Sequence, residues 1–110
     1  MARIDYVELA SADIGATRAF LGRAFGWGFV DYGPGYQAFE GAGIDGGIDG
    51  SGATPPGPLV ILKADDLEAT LAAVEAAGGV VVRAPYAFPG GRRFHFREPG
   101  GNEMAVWADR

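Results

Sequence analysis

Two copies of one stretch organise this chain. The first runs Asp13-Ile-Gly-Ala-Thr-Arg-Ala-Phe-Leu-Gly-Arg-Ala-Phe-Gly26; the second runs Asp66-Leu-Glu-Ala-Thr-Leu-Ala-Ala-Val-Glu-Ala-Ala-Gly-Gly79. Asp13 and Asp66 stand 53 residues apart, close to half of the 110-residue chain. At that offset Asp, Ala, Thr and Gly recur in place, and Ile14 and Leu21 meet Leu67 and Val74. A unit this long that occurs only twice reads as a duplicated supersecondary module rather than a solenoid repeat. Shared Ala-rich helix composition accounts for part of the match.

Each copy has the marks of a helix. An Asp at the N-cap accepts the first free backbone N–H groups and suits the positive end of the helix dipole. Ile14, Thr17, Leu21, Ala24 and Phe25 form one stripe, and Leu67, Thr70, Leu71, Val74 and Ala77 form the other. Glycine stands where each helix should stop, at Gly26 and at Gly78-Gly79.

Strand patterns flank both helices. Residues 4–10 alternate, with Val7 and Leu9 on one face and Tyr6 and Glu8 on the other. Residues 27–32 and 36–40 read as strands joined at Gly33-Pro34-Gly35, and a short strand is expected near residues 44–48. In the second half, strands are expected over residues 58–64, 80–82, 93–97 and 103–108. Glu98-Pro99-Gly100-Gly101-Asn102 reads as a turn in which Gly100 takes the positive φ. Both halves then follow the order strand, helix, strand, strand, strand. The expected organisation is a first module at residues 1–48, a Gly/Pro-rich linker at 49–57 and a second module at 58–110, together one domain.

Composition narrows the functional classes. The chain has no cysteine, so disulfide scaffolds and thiolate chemistry are out. No stretch of 18 apolar residues and no basic-apolar leader is seen, which predicts a cytoplasmic protein. The formal net charge of −5 disfavours nucleic acid and anionic membranes and favours neutral or cationic partners. Five of the basic residues (Arg83, Arg92, Arg93, Arg97 and Arg110) nevertheless fall late in the chain; they read as a solvated face or a dimer rim. No nucleophile elbow, Ser-His-Asp set or phosphate-loop spacing is present.

The duplicated βαβββ order, the Asp-capped helices and the segment Phe96-Arg97-Glu98-Pro99-Gly100-Gly101-Asn102 resemble the vicinal oxygen chelate superfamily. Its members include glyoxalase I, extradiol dioxygenases and the bleomycin- and fosfomycin-resistance proteins. The segment is similar to that superfamily's closing F-x-D-P-x-G-N turn, with Glu98 in place of Asp. Asp13, Phe20 and Phe25-Gly26-Trp27 are similar to the D…FY…LGW run of its first module.

The resemblance implies an α+β fold in which two βαβββ modules form curled mixed sheets around a central cavity, with helices on the outer faces. It also implies metal ligands near the start of the first strand of each module and a Glu on the last strand. Those positions fall on Tyr6, Leu59 and Ala105. Leu59 and Ala105 offer no donor, and a phenol is a poor substitute for His, Asp or Glu. The expectation is therefore a protein without the usual metal and without another cofactor. Relocated oxygen donors would have to come from Glu8, Glu40, Asp45, Asp49 or Glu103, around the one histidine, His95.

The candidate ligand-binding residues are Tyr6, Glu8, Tyr36, Leu59, His95 and Trp107. Strand parity turns Tyr6, Glu8, Leu59 and Trp107 toward the expected cavity, and puts Arg93, His95 and Arg97 opposite Phe94 and Phe96. Each has a plainer reading: Tyr6 and Trp107 as core, Glu8 as half of an ion pair with Lys63 or an Arg, His95 as a hydrogen-bonded strand residue, Tyr36 as strand surface. A buried carboxylate costs several kcal/mol unless paired, so Glu8 must find partners. The preferred function is a bleomycin-resistance-like homodimer that binds a small cationic or aromatic molecule. The alternative is a glyoxalase- or dioxygenase-type enzyme with a relocated metal, or with a metal-free acid/base site built on His95 and Glu8.

Overall fold

The computed structural model describes residues 2–110. Its elements are β1 (Arg3–Ala10), α1 (Ile14–Phe25), β2 (Gly28–Asp31), β3 (Tyr36–Glu40), β4 (Asp45–Asp49), β5 (Leu59–Lys63), α2 (Leu67–Ala76), β6 (Val80–Phe88), β7 (Gly91–Arg97) and β8 (Glu103–Ala108). The order βαβββ is thus used twice. Two compact units result: Tyr6–Leu59, and the residues up to Asp5 together with Val60–Arg110.

In the first unit the strand order is β2-β3-β4-β1. β4 runs parallel to β1, while β3 is antiparallel to both β2 and β4. The second unit repeats the plan as β5-β8-β7-β6, with β8 parallel to β5 and the other pairs antiparallel. Each four-stranded half of this strand order is mixed and carries one helix, which makes the fold class α+β.

The helix ends follow the sequence chemistry. Asp13 Oδ1 accepts from the Ala16 N–H and Asp66 Oδ1 from the Ala69 N–H, both at 3.0 Å. Gly26 closes α1 at φ 74°, a left-handed geometry that costs glycine little. α2 ends on Ala77, and the positive φ falls one residue later, at Gly78.

Each helix buries one side against its own sheet. Leu21 packs with Phe39 and Ile48 in the first unit, joined by Leu9, Ile14 and Trp27. Leu67 packs with Phe94, Phe96 and Val106 in the second, joined by Leu71 and Val74. The expected stripe on α1 is only partly buried: Phe25 is 60% exposed, because it lies over the Trp27 ring at 5.5 Å instead of entering the core.

Two local expectations change. The strand expected at residues 80–82 extends to Phe88. In the closing turn the positive φ belongs to Gly101, at 100°, not to Gly100. There the Glu98 carboxylate accepts from the backbone N–H of Gly100 and Asn102 and from the Asn102 side chain. These bonds, the Gly100 N–H first, hold Glu98 below the usual carboxylate range, so its carboxylate makes the local bonds an Asp would be placed to make. The short strand expected near residues 44–48 forms, at Asp45–Asp49. Its glycines are cut-outs for aromatic rings: a Cβ on Gly47 would overlap Tyr36, and one on Gly46 would overlap Phe39. Among the described residues, no helix is long and apolar enough to cross a membrane.

Candidate functional site

In each unit one sheet face is covered by the helix and the other is not. The uncovered faces hold the candidate residues.

On the first unit, Tyr6, Glu8, Tyr36, Asp49 and Thr54 form one network. Tyr36 Oη donates to Glu8 Oε2 at 3.1 Å and also shares a short hydrogen bond with the Tyr6 hydroxyl. Thr54 Oγ1 lies 2.7 Å from both Glu8 Oε1 and Asp49 Oδ2. Glu8, Asp49 and Thr54 are all buried. Glu8 therefore finds neutral hydroxyl donors, among other contacts. Burial pushes the Asp49 carboxyl up, but hydrogen bonds from Ser51 and Thr54 outweigh it and hold the group below its ordinary range. The Tyr36 hydroxyl is pushed far up, first by burial, then by its bond to Tyr6 and the nearby Glu8. A phenol so placed stays protonated and serves as a donor. Thr54 was invisible to sequence reasoning, because it lies in the Gly/Pro-rich stretch; its buried polar role depends on a chain reversal that no local pattern announces.

On the second unit, β7 and β8 present Arg93, His95, Glu103 and Trp107 on the uncovered face. His95 pairs across to Ala105 and Arg93 to Trp107. His95 is 1% exposed, and both ring nitrogens have partners. Nδ1 lies 3.0 Å from Glu103 Oε2, and Nε2 lies 2.9 Å from the Tyr86 hydroxyl. An ionised carboxylate can only accept, which assigns the proton to Nδ1 and leaves Nε2 to accept from Tyr86. Arg93 Nε in turn donates to the Tyr86 oxygen. The direction of donation is Arg93 to Tyr86 to His95 to Glu103. Burial, then the charges of Arg93 and Arg83, lower the His95 pKa against the opposing pull of Glu103, so the ring is neutral at pH 7.

Tyr86 and Arg83 reach this face through irregularities in β6. Arg83 pairs with His95 and Tyr86 with Arg93, so three steps on β6 match two on β7. Another extra residue lies between Val81 and Arg83. Residues opposite each other in an antiparallel ladder share a face. The bulges thus turn Arg83 and Tyr86 to the side of His95 while Val81 stays against α2. Pro85, inside the irregular step, was the available signal: proline within a strand marks an edge or a bulge.

Trp107 sits between charge and ring. Its indole N–H donates to Asp5 Oδ1 at 3.2 Å, Lys63 Nζ lies 4.9 Å from its ring centroid, and Phe88 packs edge-on at 6.0 Å. Leu59, at 1% exposure, is a core residue in this structure, and Ala105 is fully buried.

The fit to a metal is poor. Tyr6 is engaged with Tyr36, while Leu59 and Ala105 present only alkyl groups. Among the described residues no three His, Cys, Asp or Glu side chains gather so as to hold an ion. The late basic residues divide by strand parity: Arg92 forms a two-bond pair with Glu68 of α2, whereas Arg93 and Arg83 belong to the uncovered face.

Comparison with known proteins agrees with this architecture. The structure of an Mn(II)-bound glyoxalase from Novosphingobium aromaticivorans is similar, with 26% identity and a TM-score of 0.71; the match covers 99% of this chain and 40% of that one. A glyoxalase/bleomycin resistance protein/dioxygenase superfamily member from Vibrio splendidus 12B01 shares the fold at 16% identity and a TM-score of 0.70, covering 98% of both chains. A structure described as an NAD-dependent benzaldehyde dehydrogenase from Legionella pneumophila shares it at 9% identity and a TM-score of 0.78, covering 94% of this chain and 96% of that one. No curated protein matched the sequence. The sequence profile of one family matches residues 3–106. With that match and the duplicated βαβββ units, the chain belongs to the Glyoxalase/Bleomycin resistance protein/Dioxygenase superfamily, the vicinal oxygen chelate group.

Proposed function

We propose that this protein binds a small organic molecule without a metal. The observation that carries this reading is the side-chain chemistry at Tyr6, Leu59 and Ala105. The superfamily's metal-dependent members need donors at these positions, and here they are a phenol, an isobutyl group and a methyl. The aromatic side chains of Tyr86, Phe88 and Trp107 on the uncovered face of the second unit supply stacking surface for a planar ligand. A homodimer belongs to the same proposal, and sedimentation of the purified protein tests it.

Metal analysis together with thermal shift tests the binding reading. A ligand that binds only the folded state raises the melting temperature by mass action. Aromatic probes should do so equally with and without EDTA. A stoichiometric ion in the purified protein, with ligand stabilisation abolished by EDTA, would refute the proposal.

The Tyr86–His95–Glu103 relay favours a second reading, a metal-free acid/base enzyme. A phenol able to hand its proton to an imidazole oriented by a carboxylate has the parts for proton transfer. His95→Gln separates the two. It should leave ligand binding within a few-fold if the protein only binds, and should abolish turnover of any bound compound that the wild type consumes.

A further inference from the structure

The geometry points to a carboxylate-recognising site headed by Arg83 and Tyr86 on the uncovered face of the second unit, suited to a ligand with a planar aromatic body. It rests on the small-molecule reading above and specifies the ligand class.

Arg83 carries the inference. Its guanidinium carbon lies over the Tyr86 ring, 3.8 Å from the centroid, and the residue is exposed. Among the described residues it makes no hydrogen bond or ion pair. Contact with the ring face holds the guanidinium in place and leaves its N–H fork unspent. That fork matches the two oxygens of a carboxylate. The neighbouring cations are otherwise engaged: Arg92 with Glu68, Lys63 with Asp109 and Arg97 with Glu103.

The position is built rather than incidental. Without the extra residues of β6, Arg83 and Tyr86, three apart, would point to opposite faces. The bulges bring them to one face, above a Tyr86 hydroxyl already oriented by Arg93 and His95. Trp107 lies two strands away in the same cross-strand row, opposite Arg93, with Phe88 at its edge. A ligand whose carboxylate meets Arg83 has aromatic surface in reach for its body. This local charge is opposite to the net charge of −5, which favoured cationic cargo; the Arg83 guanidinium prevails at contact over the distant field of the surface.

The chain has one histidine, so the imidazole resonances report on this site alone. Benzoate, benzylamine and inorganic phosphate would each be titrated into the EDTA-treated protein by calorimetry and NMR. Benzoate should bind and shift the His95 signals. Arg83→Ala should weaken benzoate roughly ten- to a hundredfold, as expected for losing hydrogen bonds to a charged group. Arg83→Lys should recover only part of that loss, and Tyr86→Phe should weaken binding and mute the His95 response. Unchanged benzoate affinity in Arg83→Ala, or phosphate binding as tightly as benzoate, overturns the site. Benzylamine binding in place of benzoate overturns the ligand class yet leaves metal-free binding standing. A response seen only when a divalent ion is restored overturns the underlying reading as well.

Discussion

His95 Nδ1 faces Glu103 Oε2 across 3.0 Å, and that contact decides the chemistry on the far side of the ring. With the proton held at Nδ1, Nε2 has a lone pair to offer, and the Tyr86 hydroxyl takes it at 2.9 Å. The imidazole is 1% exposed and has no water-facing edge. It reaches the outside through its partners, Tyr86 on one side and Glu103 on the other.

The single histidine makes this arrangement directly measurable. The 15N spectrum of the native protein at pH 7 should show a neutral imidazole protonated at Nδ1. Glu103→Ala should destroy that preference and mix the two tautomers. A native spectrum dominated by the Nε2-protonated form would contradict the relay.

Stability should fall with acid in two separable windows. The His95 pKa is lowered from 6.5, so below pH 6.5 the unfolded chain binds a proton that the native state resists, and stability declines as pH falls. The Asp49 pKa is lowered from 3.8, so its contribution is present above that pH and lost below it. Urea unfolding across pH would show both steps. His95→Gln should remove the upper one and leave the lower in place.

One hydroxyl proton serves two buried carboxylates at Thr54. Thr54→Val keeps the shape but removes the donor from Glu8 and Asp49, and should cost about 2–3 kcal/mol, the range for buried polar groups left short of a partner. Thr54→Ser should recover most of it. Equal stability of the Val and Ser variants in urea would show that the hydroxyl contributes nothing.

The glycines of β4 are spatial requirements. Gly47→Ala places a methyl against the Tyr36 ring and should cost roughly 1–3 kcal/mol through overpacking. It should also displace the Tyr36 hydroxyl from Glu8. Gly28→Ala is the control, because its nearest neighbour, the Glu40 Cβ, is 4.0 Å away. Similar losses at the two positions in denaturant melts would refute the steric account.

Helix starts, strand faces and the doubled module could be read from local chemistry. Asp13 and Asp66 cap as expected, and Phe94 and Phe96 share the α2 side while His95 takes the other. These features depend on spacing along one segment. The pairing of Glu8 with Thr54 and Tyr36, across 46 and 28 residues, did not follow from spacing. The meeting of Arg83 with Tyr86 escaped for a different reason: period-two alternation fails at a bulge, so strand parity sets these two residues, three apart, on opposite faces.

By itself the sequence determined the repeated order of elements, the helix caps, the side-chain types at the three inherited ligand positions and hence the superfamily. Those are properties of composition and period, and they hold wherever the segments are placed. Only the tertiary structure decided which polar groups meet. Hydrogen-bond partners are chosen by strand register and chain reversal, and two extra residues in β6, one in each irregular step, place both Arg83 and Tyr86 on the face of His95.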